Sequence, residues 1–292
     1  MLQPYFIGRR PDRAGAFRIG REAVRHAPEP VRHTVKRLFG QSLFASNLDA
    51  ILLRKTAVVV AFHRIQDNID PSDGLTVERG TFERYCQFFQ RHFRVVSLPD
   101  LVSNLEAGRT PNRELVITFD DGYRDNVEYA APVLEKLSLP ASFFLVTQWV
   151  GTDVVPFWDE ARNVRHPFMN WDQVRSLHRK GFDIGGHTRT HVDLGKVLPA
   201  TAQEETLGSR LDLERELGRG VGSFAYPFGG RDNITDANRE AVKAAGFRCC
   251  CSDFGGTVNA GTDPFHMQRI PISSWYPSPH QFGFDVALGR SV

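Results

Sequence analysis

From about residue 56 onward, short runs of β-branched and aromatic residues alternate with longer stretches whose apolar positions recur every three to four residues. Continuous apolar runs suit strands buried on both faces, and the longer periodicity suits helices that cover them, so the alternation predicts βα units around a parallel sheet of an α/β domain. Seven strands are expected: AVVVAFHR from Ala57, ELVITFDD from Glu114, ASFFLVT from Ala141, FDIGGHT from Phe182, GSFAYPFG from Gly222, FRCCCSD from Phe247 and FHMQRIPI from Phe265. Helices are expected over Thr81–Phe93, Pro99–Ala107, Asn126–Leu137, Trp171–Arg179, Ala200–Leu217 and Thr235–Ala245. Asn170 and Thr235 suit N-caps, and Gly108, Gly181, Gly218 and Gly246 suit the left-handed residue that closes a helix. With no internal repeat, long linker or low-complexity tract in view, residues 56–292 read as one domain preceded by an arm over residues 1–55.

Composition narrows the class. At 292 residues, 41% hydrophobic and 24% charged, the chain can bury a sizeable core and is far from disordered composition. No stretch approaches the roughly 18 apolar residues of a membrane-spanning helix, and the N-terminal stretch lacks the apolar run and cleavage site of a secretory signal. The expected address is therefore the cytoplasm. Cys249, Cys250 and Cys251 are consecutive and Cys86 stands alone. Neighbouring cysteines bridge only with strain and no C-x-x-C pair is present, so four free, packing thiols are expected.

The formal charge of +2 conceals an asymmetry, because residues 1–40 hold nine Lys/Arg against Asp12, Glu22 and Glu29, a net of +6. Val31, Val35, Leu38 and Phe39 fall at helical spacing beside Arg32, Lys36 and Arg37. Such a basic, partly helical arm suits either an apolar stripe laid on the main domain or peripheral contact with an anionic membrane. No nucleic-acid-binding fingerprint accompanies it, and no nucleic-acid partner is expected.

The polar residues that interrupt the strands carry the chemistry. His63 ends the first strand, Asp120 and Asp121 the second, His187 and His191 follow the fourth, and Tyr226-Pro227-Phe228-Gly229 ends the fifth. In a closed parallel barrel the carboxyl ends of the strands form one mouth, so these residues converge. Two imidazoles four apart, projecting from one face of a helical turn, can bind one cation, and a carboxylate from a neighbouring strand completes a three-ligand site with a position open for water. The adjacent aspartates point in different directions, so one can bind metal while the other faces the water. As an alternative, Asp120-Asp121-Gly122 is an ordinary solvated turn, although the preceding LVITF run places the pair at the end of a buried strand.

At these residues a resemblance becomes specific. TFDDGYRDN, GGHTRTH and SFAYPFG, with the connecting NWDQVRSLHRKGFDIGGHTRTH, resemble the polysaccharide deacetylases, the NodB-homology domain of carbohydrate esterase family four, over roughly residues 56–275. The resemblance implies a distorted (β/α) barrel of about seven parallel strands and metal-dependent removal of N-acetyl groups from an N-acetylhexosamine-containing glycan or glycolipid. It implies Asp121, His187 and His191 as ligands of one divalent cation, zinc first, with cobalt or nickel as alternatives. Asp120 would be the general base and the backbone N–H of Phe228 an oxyanion donor, aimed by Pro227 in a turn where Tyr226 and Pro227 meet substrate.

The pattern also departs from the family. Ala225 stands where an arginine often pairs with the base, and Arg269 on the last expected strand is the candidate substitute, with an ordinary structural arginine as the alternative. No late Leu-x-His motif supplies the acid histidine. AFHRI around His63 is similar to the early-strand arrangement of some poly-N-acetylglucosamine deacetylases, which makes His63 the candidate general acid. Trp275, in the loop SSWYPSPH, is a candidate sugar platform, whereas Trp171 begins an amphipathic helix and is expected in the core. His266 and His280 have no partner motif and are expected to be surface or structural. Hydrolysis of a small non-sugar amide on the same barrel, or a silent glycan-binding domain, are the alternative functions.

Overall fold

The computed structural model describes residues 29–70 and 73–288. Its strands, in chain order, are β1 (Ala57–Phe62), β2 (Arg64–Gln66), β3 (Thr76–Glu78), β4 (Arg94–Val95), β5 (Glu114–Phe119), β6 (Ser142–Leu145), β7 (Asp183–Gly186), β8 (Ser223–Ala225), β9 (Cys249–Cys251) and β10 (Ile270–Pro271). The seven expected from sequence form one parallel sheet in the order β10-β1-β5-β6-β7-β8-β9. An additional bridge between Cys251 and Met267, with the Ser252 N–H donating to the Met267 carbonyl at 2.9 Å, draws β9 toward the chain leading into β10. The sheet is thereby curled into a distorted barrel.

Every residue of β1 and β5 is buried, which is why these strands read as unbroken apolar runs. Their register, from Ala57 opposite Glu114 to Phe62 opposite Phe119, brings His63 and Asp120 to adjacent carboxyl ends. The Asp120 N–H donates to the Phe62 carbonyl at 2.9 Å, one step beyond the ladder.

The expected helices form within a residue or two of their expected ends, and Asn170 and Thr235 each close a capping box, with Gln173 and Asn238 respectively. Gly218 and Gly246 follow their helices at φ +66° and +91°. One expected helix divides: Asn126–Ala130 is a π-helical turn and Ala131–Lys136 an α-helix. Pro132 has no N–H to donate to Glu128, which breaks the regular ladder there. Trp171 is partly buried against the core, as expected, and all four cysteines are buried free thiols.

Among the described residues three α-helices had no sequence expectation: Leu48–Leu52, Phe157–Glu160 and Pro279–Ala287. The last packs against the N-terminal helix Glu29–Ala45 through two glycines. A Cβ at Gly40 would lie 2.0 Å from the His280 carbonyl oxygen, and one at Gly283 would lie 2.4 Å from the Phe44 ring. Phe44 is 3% exposed and meets the rings of Phe88, His92, Phe93 and His280. The arm's described part therefore shares the barrel's core chiefly through Gly40 and Phe44; of the Val31, Val35, Leu38 and Phe39 stripe, Val35 is half-buried and the Phe39 ring lies 6.1 Å from that of Phe284, while Val31 and Leu38 are exposed. Residues 1–28 lie outside the described residues. Among the described residues no helix is long and apolar enough to cross a membrane.

Candidate active site

The carboxyl ends of the strands open into a cavity of about 390 Å³ whose lining includes His63, Asp120, Asp121, Trp158, His187, His191, Phe228, Asp253 and Trp275. Its walls are built from tight turns. Asp121, Thr188, His191 and Phe228 all adopt the left-handed region, at φ 70°, 62°, 62° and 62°. Each non-glycine residue held there costs roughly 1–2 kcal/mol, a strain that recurs around this one cavity. At the end of β5 the Gly122 N–H donates to the Asp120 carbonyl at 2.9 Å, and this turn lets both carboxylates line the cavity.

His187 Nδ1 lies 2.8 Å from the Ala225 carbonyl. A carbonyl only accepts, so Nδ1 carries the proton and Nε2 is left facing Asp121 Oδ1 at 3.4 Å. His191 Nε2 faces the same oxygen at 3.3 Å. The two histidines do not project from a helical turn as their spacing suggested. Residues 187–191 are irregular, the His191 N–H donates to Thr188 Oγ1 at 2.9 Å, and Glu205 clamps the loop. One Glu205 oxygen accepts from the N–H groups of Arg189 and Thr190 at 2.8 and 2.9 Å, and the other from the Thr190 hydroxyl at 2.8 Å. Rings of Trp149, Trp158 and Phe228, with centroids at 5.2, 5.0 and 4.9 Å, enclose the His191 imidazole.

Asp121 Oδ1 is buried and accepts no well-formed hydrogen bond although two imidazole nitrogens point at it. Burial works against its ionisation, but the two imidazoles outweigh burial and hold the carboxyl well below the usual carboxylate range. Burial likewise disfavours the charged form of His187, yet Asp120 and Asp121 raise it above the ordinary imidazole value, while burial lowers His191. Three ligand atoms within 4.8 Å of one another, with an orphaned carboxylate oxygen among them, fit a divalent cation.

Asp120 sits against Arg269. The guanidinium donates Nη1 to Oδ1 at 2.7 Å and Nη2 to Oδ2 at 2.6 Å, and is itself fixed by the Ser252 carbonyl and the Thr118 hydroxyl, both at 3.0 Å. Burial of Asp120 opposes its charge, but Arg269, aided by His187 and His63, keeps its pKa below the usual value.

Residues 107–250 match the polysaccharide deacetylase family. The chain carries a polysaccharide deacetylase domain. It is 22% identical over 243 residues to the poly-beta-1,6-N-acetyl-D-glucosamine N-deacetylase of Staphylococcus epidermidis, covering 76% of this chain and 80% of that protein. It is 27% identical over 137 residues to the protein of the same name from Escherichia coli strain K12, covering 45% of this chain and only 20% of that protein. The structure of the Streptococcus pyogenes deacetylase PplD in complex with acetate superposes with a TM-score of 0.66 at 20% identity, over 78% of this chain and 96% of that one, which shows a shared fold.

Asp120, Asp121, His187, His191 and Phe228 fall inside the matched span, whereas His63 and Trp275 reach the cavity from outside it and Arg269, also outside it, reaches Asp120 from behind the cavity wall. Trp275 is 42% exposed at the rim and Phe228 48% exposed. Tyr226 and Pro227 are buried; the Tyr226 ring packs against Phe224 and still lines the cavity, whereas Pro227 lies outside the lining. His266 pairs with Asp263 on the surface, and His280 packs in the aromatic cluster of Phe44 and Phe88. Asp253 had no sequence expectation. One of its carboxylate oxygens and a His63 ring nitrogen both lie within 4.8 Å of each other and of Asp120, and Arg269 Nε stands 3.7 Å from Asp253 Oδ1. Burial pushes the Asp253 carboxyl up against the pull of Arg269, and Asp120 adds to the rise. Its position just past β9, the carboxyl end of an expected strand, was the signal that would have found it.

Proposed function

We propose that this polysaccharide deacetylase domain hydrolyses the N-acetyl group of an N-acetylhexosamine-containing glycan or glycolipid with the help of one divalent cation. The observation that carries the reading is the unsatisfied Asp121 Oδ1 facing two imidazole nitrogens beside an Asp120 carboxylate held by Arg269. Asp121, His187 and His191 would hold the cation, and the mixed imidazole and carboxylate set suits zinc. Such an ion supplies Lewis-acid polarisation of the acetamide carbonyl and acidifies water.

The remaining steps belong to the protein. Asp120, kept ionised by Arg269, accepts the proton of the attacking water, and the backbone N–H of Phe228 donates to the oxyanion that develops on the carbonyl. His63 delivers a proton to the amine nitrogen as the C–N bond breaks, so that acetate and a free amino sugar leave. Trp275, exposed at the rim, offers a ring face to the apolar side of a pyranose. The relatives named as poly-beta-1,6-N-acetyl-D-glucosamine N-deacetylases make β-1,6-linked N-acetylglucosamine the first substrate to try.

The test is mass spectrometry of acetylated glycans after incubation with enzyme and zinc, with β-1,6-linked and β-1,4-linked N-acetylglucosamine oligomers beside small acetamides. Loss of acetyl groups from a glycan supports the reading. Turnover of small amides alone, or glycan binding without acetate release, overturns it.

A further inference from the structure

The helix Glu29–Ala45 is apolar on two faces, and the barrel covers one of them. Lys36, Gly40 and Phe44, each four residues apart, face the body: Lys36 Nζ reaches Asp285 Oδ2 at 2.6 Å, and Gly40 and Phe44 lie against the helix Pro279–Ala287. Val31 and Leu38 lie about half a turn away, and Phe39 lies between the two faces, its ring centroid 6.1 Å from that of Phe284. Val31, Leu38 and Phe39 are 50%, 54% and 58% exposed. The next helix, Leu48–Leu52, adds Leu48, Ile51 and Leu52 at 47%, 71% and 44%. Six of the thirteen large apolar side chains exposed among the described residues therefore fall between residues 31 and 52. Clustering of this kind marks an interaction surface, since singly scattered apolar residues are the rule elsewhere on soluble folds.

Charge identifies the occupant. Residues 1–55 hold eleven Lys/Arg against four Asp/Glu, a net of +7, which leaves −5 for residues 56–292. Arg32 and Arg37 stand on the same helix as the patch, Arg54 and Lys55 close its far end, and six arginines precede the helix between residues 1 and 28. An apolar face set among cations matches a bilayer that carries anionic lipid, where the side chains enter the headgroup boundary and the cations meet the phosphates. Two copies meeting through this face would bring two arms of net +7 together, and residues 1–28 would bring six further arginines against it. We propose that Val31, Leu38, Phe39, Leu48, Ile51 and Leu52 dock the protein on an anionic lipid surface, a property that stands independently of the chemistry in the cavity.

The test uses the full chain with a polarity-sensitive fluorophore on Ile51→Cys, selective because the native thiols are buried. Phosphatidylcholine vesicles containing phosphatidylglycerol should shift its emission to the blue, pure phosphatidylcholine should not, and added salt should reverse the shift. In the unlabelled chain, Leu38→Asn with Ile51→Asn should weaken sedimentation with the anionic vesicles on the order of tenfold or more, whereas Leu207→Asn with Leu211→Asn, exposed on another helix, should not. A probe already blue-shifted without vesicles means that residues 1–28 or a second copy cover the patch, and overturns the proposal. Vesicle binding that survives the Leu38 and Ile51 changes, or ignores lipid charge, overturns it as well.

Discussion

Arg269 grips Asp120 through both carboxylate oxygens across 149 residues of chain, with both side chains almost fully buried. Such a fork is directional: it fixes the carboxylate plane as well as its charge. Arg269→Lys keeps a cation but loses the fork, so Asp120 should bind its proton more readily. Asp120 acts in its ionised form in the proposed reaction, so the acid limb of kcat/KM should move to higher pH. A pH profile with an unmoved acid limb assigns Arg269 to packing alone.

The two aspartates should fail differently. Asp120→Asn is expected to retain bound zinc and lose on the order of 10² to 10⁴ in turnover, the usual worth of a positioned base. Asp121→Asn removes the carboxylate that faces both imidazoles and should lose the metal itself. Chelation of the unaltered protein should abolish activity, and zinc or cobalt should restore it. Metal analysis showing the reverse pattern would exchange the two roles.

Glu205 touches neither His187 nor His191 in the hydrogen bonds described, yet its carboxylate shapes the turn between them. Outer partners of this kind are worth roughly 10- to 100-fold in metal affinity. Glu205→Gln replaces one acceptor oxygen by an NH₂ group that repels the N–H donors. Zinc competition against a chelator should register a loss in that range, and an unchanged affinity would show that the loop holds its form without the clamp.

Asp125 offers a pH dependence of stability. Burial pushes its carboxyl up to about 7, against hydrogen bonds from the Ile65 N–H and the Gln66 and Asn126 side chains. Between its unfolded value near 4 and about 7 the native state binds the proton that the unfolded state has lost, so this residue makes stability fall as pH rises through that window. Asp125→Asn removes the dependence. The variant's melting temperature relative to the parent should rise between pH 5 and pH 8, and a difference that is flat with pH refutes the shifted carboxyl.

Legibility in the sequence followed the physics of each element. β1 and β5 are buried throughout, so AVVVAF and ELVITF announce themselves, and Asn170 and Thr235 mark helix starts with capping boxes that depend on residues only three positions away. Pro279–Ala287 was hidden because Gly283 is a poor helix former whose value lies in letting Phe44 approach, a contact across more than 230 residues. The turn at His187 and His191 depends on Glu205 in a later helix, and their spacing alone suggested a helical turn instead. The helix at Glu29–Ala45 is apolar on two faces, and only the fold decides that Gly40 and Phe44 go inward while Leu38 stays out.

His63 remains the sharpest test of the chemistry, because its proposed role depends on the leaving group. Collapse of the tetrahedral intermediate expels an amine, which departs poorly unless its nitrogen is protonated as the bond breaks. His63 lines the cavity, its backbone carbonyl is held by Asn126 Nδ2 at 2.8 Å, and its ring stands near Asp120 and Asp253. An activated acetyl ester needs no such proton, since a phenolate leaves unaided. His63→Ala should therefore lose amide hydrolysis by on the order of 10² or more while ester hydrolysis survives with metal still bound. Asp253→Asn, which leaves the imidazole in place, should affect the amide less than His63→Ala does and spare the ester. Equal losses on both substrates in His63→Ala would mean that the imidazole shapes the cavity and donates no proton to the departing nitrogen.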